Sequence, residues 1–262
     1  MSSLLVVGAG PSGLGTATLL AEQTRAEVRL VDRIPVAGGE AGWDHPEIAA
    51  LVKRAEDSGV RLDLGKTATR WRDGTLLLIG PQGAQQVQAA HLFFAGGRRP
   101  ATAADLRITG ERPAGVLPAT VAEHLLSSGV ALWRRPLIIG NGPWASAVAH
   151  GVHAYGGRVL ALDGSSSWAD EVFDSRGPVR ITGRGRVEAV RVLNDGTPLE
   201  IRCDAVILAS GAVPNRNVVG ALSEGAASVT FVQPLDEDSV HDRFDAAQTI
   251  TREWIRTTGG TP

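Results

Sequence analysis

The sequence predicts an α/β protein of two parallel-sheet domains, the second abridged and inserted in the first, and three observations lead there. The stretch LLVVGAGPSGLGTATLLAE at residues 4–22 reads as an apolar strand, a glycine-rich turn and a helix, and AEVRLVD after it supplies a second strand ending in Asp32. The same unit recurs as PLIIGNGPWASAVAHGVHAYGGRVLALD, with Gly140 and Gly142 in the turn and Asp163 closing the second strand. Asp32 stands 24 positions after Gly8, Asp163 stands 23 after Gly140, and each turn carries Pro directly after its second glycine. Finally, each copy closes on a buried strand ending in small residues, LFFAGG and VILASG. Strands joined through a helix are parallel, and a duplication of this size implies two Rossmann-like dinucleotide-binding domains.

The remaining elements follow in order. After Asp32 come a glycine-containing loop, IPVAGGEAGW, and a helix, PEIAALVKRAEDSG, with Ile48, Leu51, Val52 and Ala55 on one stripe; the strand VRLDL follows. Residues from Thr67 to Gly97 read as a meander with turns at Asp73-Gly74 and Pro81-Gln82-Gly83. The second copy goes from Asp163 through a Ser/Asp-rich loop to PVRIT and then to a hairpin turning near Asp195-Gly196. Between the copies, PATVAEHLLSSG supplies a short helix, and the C-terminal DSVHDRFDAAQTITREWI carries Val240, Phe244, Ile250 and Trp254 at helical spacing, a helix expected to pack back on the first domain. The expected division is a first domain of 1–105 plus 213–262, a connector of 106–135 and a second domain of 136–212.

Composition narrows the partners. The 262 residues carry a formal net charge of -2 with no run of Lys or Arg, which points away from nucleic acid and from an anionic membrane surface. No apolar segment approaches the roughly 20 residues needed to cross a bilayer. The apolar N-terminus lacks a basic flank and reads as strand and turn, so the expected location is cytoplasmic. Cys203 is the single cysteine, which excludes an internal disulfide, a CxxC pair and a cysteine-based metal site within this sequence. Its expected role is a small core residue. The six histidines are scattered without acidic or cysteine ligands at metal spacing and read as surface residues, and no metal site is expected. The tryptophans read as core or interface residues. No convincing acid-base pair stands out, so no catalytic residue is assigned.

The glycines carry the chemistry. In a strand, G-x-G-x-x-G and helix arrangement, Gly8 permits the tight turn, Gly10 lets the backbone approach a pyrophosphate and Gly13 allows close helix-strand packing. The helix N-terminus offers unpaired N–H groups and partial positive charge to phosphates. Asp32 suits a ribose and repels a phosphate on that ribose, so the adenosine half of FAD or NAD fits and that of NADP does not. The plain structural alternative is that these glycines only satisfy a turn, but strand, turn, helix, second strand and acid all fall in register. The second turn, Gly140, Gly142 and Ala145, places Trp144 where backbone should approach phosphate. Two readings stay open for it: a site for NAD or another adenine nucleotide such as ATP or ADP, or a degenerate domain kept for packing or partner contact. LALDGSSSW offers no arginine cluster for a 2'-phosphate, which favours NAD over NADP.

Taken together, VVGAGPSGLGTA, GGE, LFFAGGRRP, PAGVLPATVAEHLL, LIIGNGPWASAVA and CDAVILASGAVPN resemble the FAD-dependent pyridine-nucleotide-disulfide oxidoreductase superfamily, which includes thioredoxin reductase, in matching order across about residues 3 to 220. The link PAGVLPATVAEHLL is similar to that of the FAD-binding subunits of hydrogen cyanide synthase, opine oxidase and dye-linked proline dehydrogenase. The resemblance implies FAD along the first domain. Its pyrophosphate would lie on Gly8, Gly10, Pro11, Ser12 and Gly13, its ribose at Asp32 and Arg33, its flavin end near Gly38, Gly39 and Glu40, with Ala95, Gly96, Gly97 and Arg98 beneath. Trp43 is then a candidate wall of the flavin pocket. The second nucleotide site would comprise Gly140, Gly142, Pro143, Trp144, Asp163, Ala209, Ser210 and Gly211.

Two features depart from the superfamily. Without a CxxC pair the chain cannot carry out thioredoxin-reductase chemistry. The superfamily's C-terminal Gly-Asp is also missing, with Asp236 and Asp238 the nearby acids. The resulting expectation is an FAD-dependent oxidoreductase, a subunit of a heteromeric amine or amino-acid dehydrogenase or oxidase that relays electrons while a partner chain carries the substrate site; a homodimer is the other assembly. The alternatives are an NADH-dependent flavin or small-carrier reductase, and a non-catalytic pseudo-enzyme that scaffolds a catalytic partner.

Overall fold

The computed structural model describes residues 3–175, 177–194, 196–215, 228–234 and 239–260; Asp195, Asp236 and Asp238 lie outside the described residues. The chain begins with β1 (Ser3–Val7), α1 (Pro11–Gln23), β2 (Glu27–Asp32), α2 (Pro46–Asp57) and β3 (Arg61–Leu64). A meander of β4 (Thr67–Arg72), β5 (Thr75–Gly80) and β6 (Gly83–Gln88) leads to β7 (His91–Phe94), and then come β8 (Arg98–Pro100), β9 (Thr109–Gly110), β10 (Val116–Pro118) and α3 (Ala119–Ser127). The second repeat supplies β11 (Pro136–Ile139), α4 (Pro143–Ala154), β12 (Leu160–Leu162), β13 (Glu171–Phe173), β14 (Arg180–Thr182), β15 (Ala189–Asn194), β16 (Thr197–Arg202) and β17 (Ala205–Leu208). After β18 (Ala212–Pro214), β19 (Val229–Phe231) and α5 (Val240–Thr258) complete the chain. Two compact units result: one runs to Arg98 and resumes at Pro214, and the other spans Arg99–Val213.

The first unit is built on a five-stranded sheet in the order β19-β7-β1-β2-β3, parallel throughout. Strand residues alternate between its faces. Leu4, Val6, Val28, Leu30 and Phe93 pack beneath the helices, whereas Leu5, Val31 and Leu92 meet Trp71, Leu76 and Leu78 of the antiparallel meander. Helix α5 lies on α1: a Cβ on Gly15 would come within 2.6 Å of the Phe244 carbonyl oxygen, and Thr251 Oγ1 bonds Thr16 Oγ1 at 3.2 Å. Ser239 caps α5 by accepting the Asp242 N–H at 3.0 Å, and Val240, Phe244 and Trp254 are buried.

His91 corrects the surface reading of the histidines. It is 6% exposed, accepts or donates at Nε2 to Thr230 Oγ1 at 2.9 Å, and lies 4.9 Å from the ring centres of both Phe93 and Trp254. Burial pushes its pKa down to about 4. Because the folded value lies below the unfolded one of about 6.5, the neutral ring's contribution is complete above pH 6.5 and is lost as pH falls toward 4, by up to about 3 kcal/mol. Urea midpoints at pH 7 and pH 4.5 should therefore differ more for the wild-type chain than for His91→Phe. Equal differences would show that the ring does not carry this acid sensitivity.

In the second unit, a parallel sheet in the order β10-β17-β11-β12-β13 adjoins a smaller layer, β16-β15-β14-β9. Leu137, Ile139, Leu160, Leu162, Val206 and Leu208 face that layer, while Ile138, Ala161 and Ile207 face α3 and α4. Residues 106–135, expected as a connector, instead contribute β9, β10 and α3 to this unit. Val116–Pro118 extends the sheet by pairing in parallel with Val206–Leu208, and Ala119, Ala122 and Leu126 bury the helix against α4 and its neighbours. Cys203 is buried, and desolvation, with Asp204 adding to it, pushes its thiol up to about 12, which leaves no thiolate at neutral pH.

Candidate functional site

The C-terminal ends of β1, β2 and β7 converge on the first glycine turn. Gly8 donates its N–H to Val31 O at 2.8 Å, and Ala95 donates to Val7 O at 2.8 Å, which locks the three strand ends together. Gly8 has φ of 109°, and a Cβ there would lie 2.1 Å from the Ala95 carbonyl oxygen. A Cβ on Gly13 would lie 1.7 Å from the Gly8 carbonyl oxygen, so only glycine lets α1 start this close to β1. Gly10 is different. A Cβ there would make only ordinary contact, with Gly39 Cα at 3.7 Å and Gly38 O at 3.9 Å, so packing does not demand glycine at this position.

Pro11 opens α1, Gly10 provides no side-chain cap, and Ser12 is buried. The first-turn N–H groups of a helix have no intrahelical acceptor, and here no capping side chain covers them; an anion is the natural partner. Asp32 stands beside the turn, its Oδ2 accepting the Ala9 N–H at 2.6 Å and its Oδ1 the Ile34 N–H at 2.8 Å, while Arg33 is exposed. These bonds fix the carboxylate toward the turn and leave its other lone pairs for a ribose hydroxyl.

The loop after β2 comes back to the same place. Gly38 donates to Ala9 O at 2.9 Å, and Gly38 and Gly39 have φ of 134° and 59°, conformations that favour glycine. Gly39 and Glu40 begin a short 3-10 turn, Gly39–Ala41. Further along this loop Trp43 is 68% exposed, and His45 Nδ1 is buried with no hydrogen-bond partner, a polar atom that a bound molecule can satisfy.

Beneath the turn, Ala95 and Gly96 follow β7, and Gly97 O accepts the Asn215 N–H at 2.9 Å. Asn215 Nδ2 donates to Arg98 O at 3.3 Å, and Gln233, just past β19, donates from Nε2 to Asn215 O at 3.0 Å. Sequence reasoning missed Asn215 and Gln233 here. The end of AVPN was a usable signal for the first; nothing local marked the second, which stands near the strand end where the sequence lacks Gly-Asp. Glycine cradle, bare helix end and adjoining acid together fit the diphosphate and ribose of an adenine dinucleotide.

The second turn repeats the backbone scheme: Gly140 donates to Leu162 O at 3.0 Å and Ala209 to Ile139 O at 2.9 Å. Ser210 sits against Gly140, where a Cβ would lie 2.2 Å from Ser210 Oγ, and Gly211 has φ of 62°. Pro143 opens α4, as Pro11 opens α1. Trp144 is buried in the core cluster with Ile138 and Val148, and Asp163, exposed with φ of 55°, accepts the Ser175 N–H at Oδ1 at 3.0 Å. Among the described residues no group of His, Cys, Asp and Glu could hold a metal ion, and no helix is long and apolar enough to cross a membrane.

Two parallel sheets, each with a glycine turn feeding a helix at its C-terminal edge, define the class: an α/β fold of the Rossmann type. Residues 1–117 match the family model for pyridine nucleotide-disulphide oxidoreductase. It is 29% identical over 243 residues to the alpha subunit of the sarcosine oxidase of Rhizobium meliloti (strain 1021), a match covering 80% of this chain and 24% of that protein. It is also 28% identical over 202 residues to a subunit of the opine oxidase of the same organism, covering 69% of this chain and 43% of that protein. The chain thus spans about a quarter and less than half of these two relatives. Among solved structures, T. acidophilum thioredoxin reductase superposes with a TM-score of 0.67 at 15% identity, covering 98% of each chain, a likeness of fold.

Proposed function

We propose that the first unit binds FAD and that the chain is the flavin-binding subunit of a heteromeric oxidase or dehydrogenase for amines or amino acids, with a partner chain carrying the substrate site. The observation that carries this reading is the uncapped N-terminus of α1, framed by Gly8, Gly10 and Gly13 with Asp32 fixed beside it. Both curated relatives are named as subunits of oxidases, which supports a partner.

The residues have distinct tasks in this reading. Gly8, Gly10, Pro11, Ser12 and Gly13 bring backbone amides against the pyrophosphate, Asp32 accepts from the adenosine ribose, and Gly38 and Gly39 keep the space toward the flavin free of side chains. FAD, when bound, supplies the two-electron chemistry, and the protein supplies binding, orientation and electrostatics. His91 begins β7, at the end of the sheet opposite the glycine turn, so the buried imidazole is remote from this chemistry.

Absorbance of the purified chain tests the reading. Bands near about 370 and 450 nm, with FAD released by heat, are expected. A colourless protein that takes up no added FAD would overturn it and leave a scaffolding role beside a catalytic partner as the better account.

A further inference from the structure

The two glycine turns repeat one backbone scheme, yet what lies beside them differs. In the first unit the four residues after Asp32, Arg33 to Val36, are exposed, and none folds back over the turn. In the second, Trp168 follows Asp163 by five residues and returns to the turn: its Nε1–H donates to Asn141 Oδ1 at 3.2 Å. Its ring closes on Gly164, where a Cβ would lie 2.7 Å from the indole, and it is only 6% exposed. The indole therefore spans from the residue between Gly140 and Gly142 to the residue after the acid. In a Rossmann-like domain that interval, outside the C-terminal ends of two adjacent strands, is where the adenosine half of a dinucleotide lies.

The polar groups of the interval already have protein partners, although Asn141 and Gly142 are themselves exposed and a Cβ on Gly142 would meet nothing within 4 Å, so it is the adenosine side of the turn, not its phosphate side, that is filled. Asn141 Oδ1 accepts the Gly142 N–H at 2.9 Å as well as the indole N–H, so an amide at the start of α4 already has a partner. The acids differ too. Asp32 is held to the first turn by the Ala9 N–H, whereas Asp163 Oδ1 is taken by the Ser175 N–H instead. Ring, amide and carboxylate each remove one contact that an adenosine phosphate needs, and a bound nucleotide would have to break the part-buried indole–Asn141 bond and displace the buried Trp168 ring. These residues do not fit NAD.

We propose that Trp168 fills the adenosine subsite of the second unit, so that this unit takes no dinucleotide and the chain is not reduced by NAD(P)H. The absence of reduction rests on the flavoprotein reading of the first unit; the filling of the subsite by Trp168 does not. The test titrates NADH and ADP-ribose by equilibrium dialysis against the full chain with FAD in excess, so that any nucleotide held by the first unit is displaced. Wild type and Trp168→Phe are expected to bind neither ligand below a Kd of about 1 mM. Trp168→Gly, which empties the subsite, should bind ADP-ribose at least about tenfold more tightly than wild type. Asn141→Ala, which frees the ring without hollowing the core, should shift binding in the same direction if the glycine variant does not fold. Saturable wild-type binding that survives excess FAD would overturn the proposal, and so would a folded Trp168→Gly or Asn141→Ala chain that gains nothing. Flavin absorbance, read on the same samples, reports separately on the first unit.

Discussion

Asp63→Ala is expected to destabilise the first unit by roughly 3–5 kcal/mol, far more than loss of a surface carboxylate. Asp63 on β3 pairs with Arg29 on β2, and their side chains are 11% and 9% exposed; Lys66 reaches the same carboxylate at 2.6 Å. Burial, reinforced by Arg61, holds the Arg29 guanidinium below the usual arginine range, and its Nε has no hydrogen-bond partner. Arg29 lies on the β2 face that carries Val31, the face covered by Trp71, Leu76 and Leu78. Removing Asp63 strands a cation there, whereas replacing both partners, Arg29→Met with Asp63→Leu, should be nearly neutral. Urea unfolding of the three chains measures this. A loss below about 1 kcal/mol for Asp63→Ala would mean that water already screens the pair.

Gly13→Ala should act against the usual helix preference. Alanine in place of glycine normally favours a helix by about 1 kcal/mol. Here the added methyl would lie 1.7 Å from the Gly8 carbonyl oxygen, so α1 must move off β1. We expect about 1–3 kcal/mol of destabilisation and at least about a tenfold loss of FAD affinity, because the helix end no longer meets the phosphates. Gly10→Ala separates the two effects. Its φ of -78° suits alanine and its Cβ meets nothing within 3.7 Å, so stability should hold while FAD affinity falls. Flavin retention after gel filtration and urea midpoints read the two quantities. If Gly10→Ala keeps its flavin, the face beside Gly39 is not where the pyrophosphate lies. At the position that corresponds to Gly13 the second unit has Ala145, fully buried, so that helix already carries the methyl that α1 excludes.

The repeat itself was legible in the sequence because its signals are local. A strand, a glycine turn and a helix are specified by neighbours a few residues apart, and Gly8, Gly10 and Gly13 each answer to the geometry of one turn. A continuous apolar run likewise announced strands such as Leu137, Ile138 and Ile139 before their two faces were known. The assignment of 106–135 as a connector failed for a complementary reason: Val116–Pro118 is too short to read as a strand alone, and it becomes one only by pairing with β17.

By itself, the sequence determined the α/β class, the duplication, the two glycine turns with their acids, and the absence of any redox cysteine pair. Only the tertiary structure decided that Arg29 meets Asp63, that His91 is buried between Phe93 and Trp254, that Gln233 reaches Asn215, and that Trp168 returns to Asn141. Propensity and periodicity act over a turn or a strand, whereas these contacts join residues as far as 163 positions apart and depend on strand register and the path of intervening loops. That difference separates two turns that look alike in sequence: in one the acid bonds back to the turn through the Ala9 N–H, and in the other a tryptophan returns to it through Asn141.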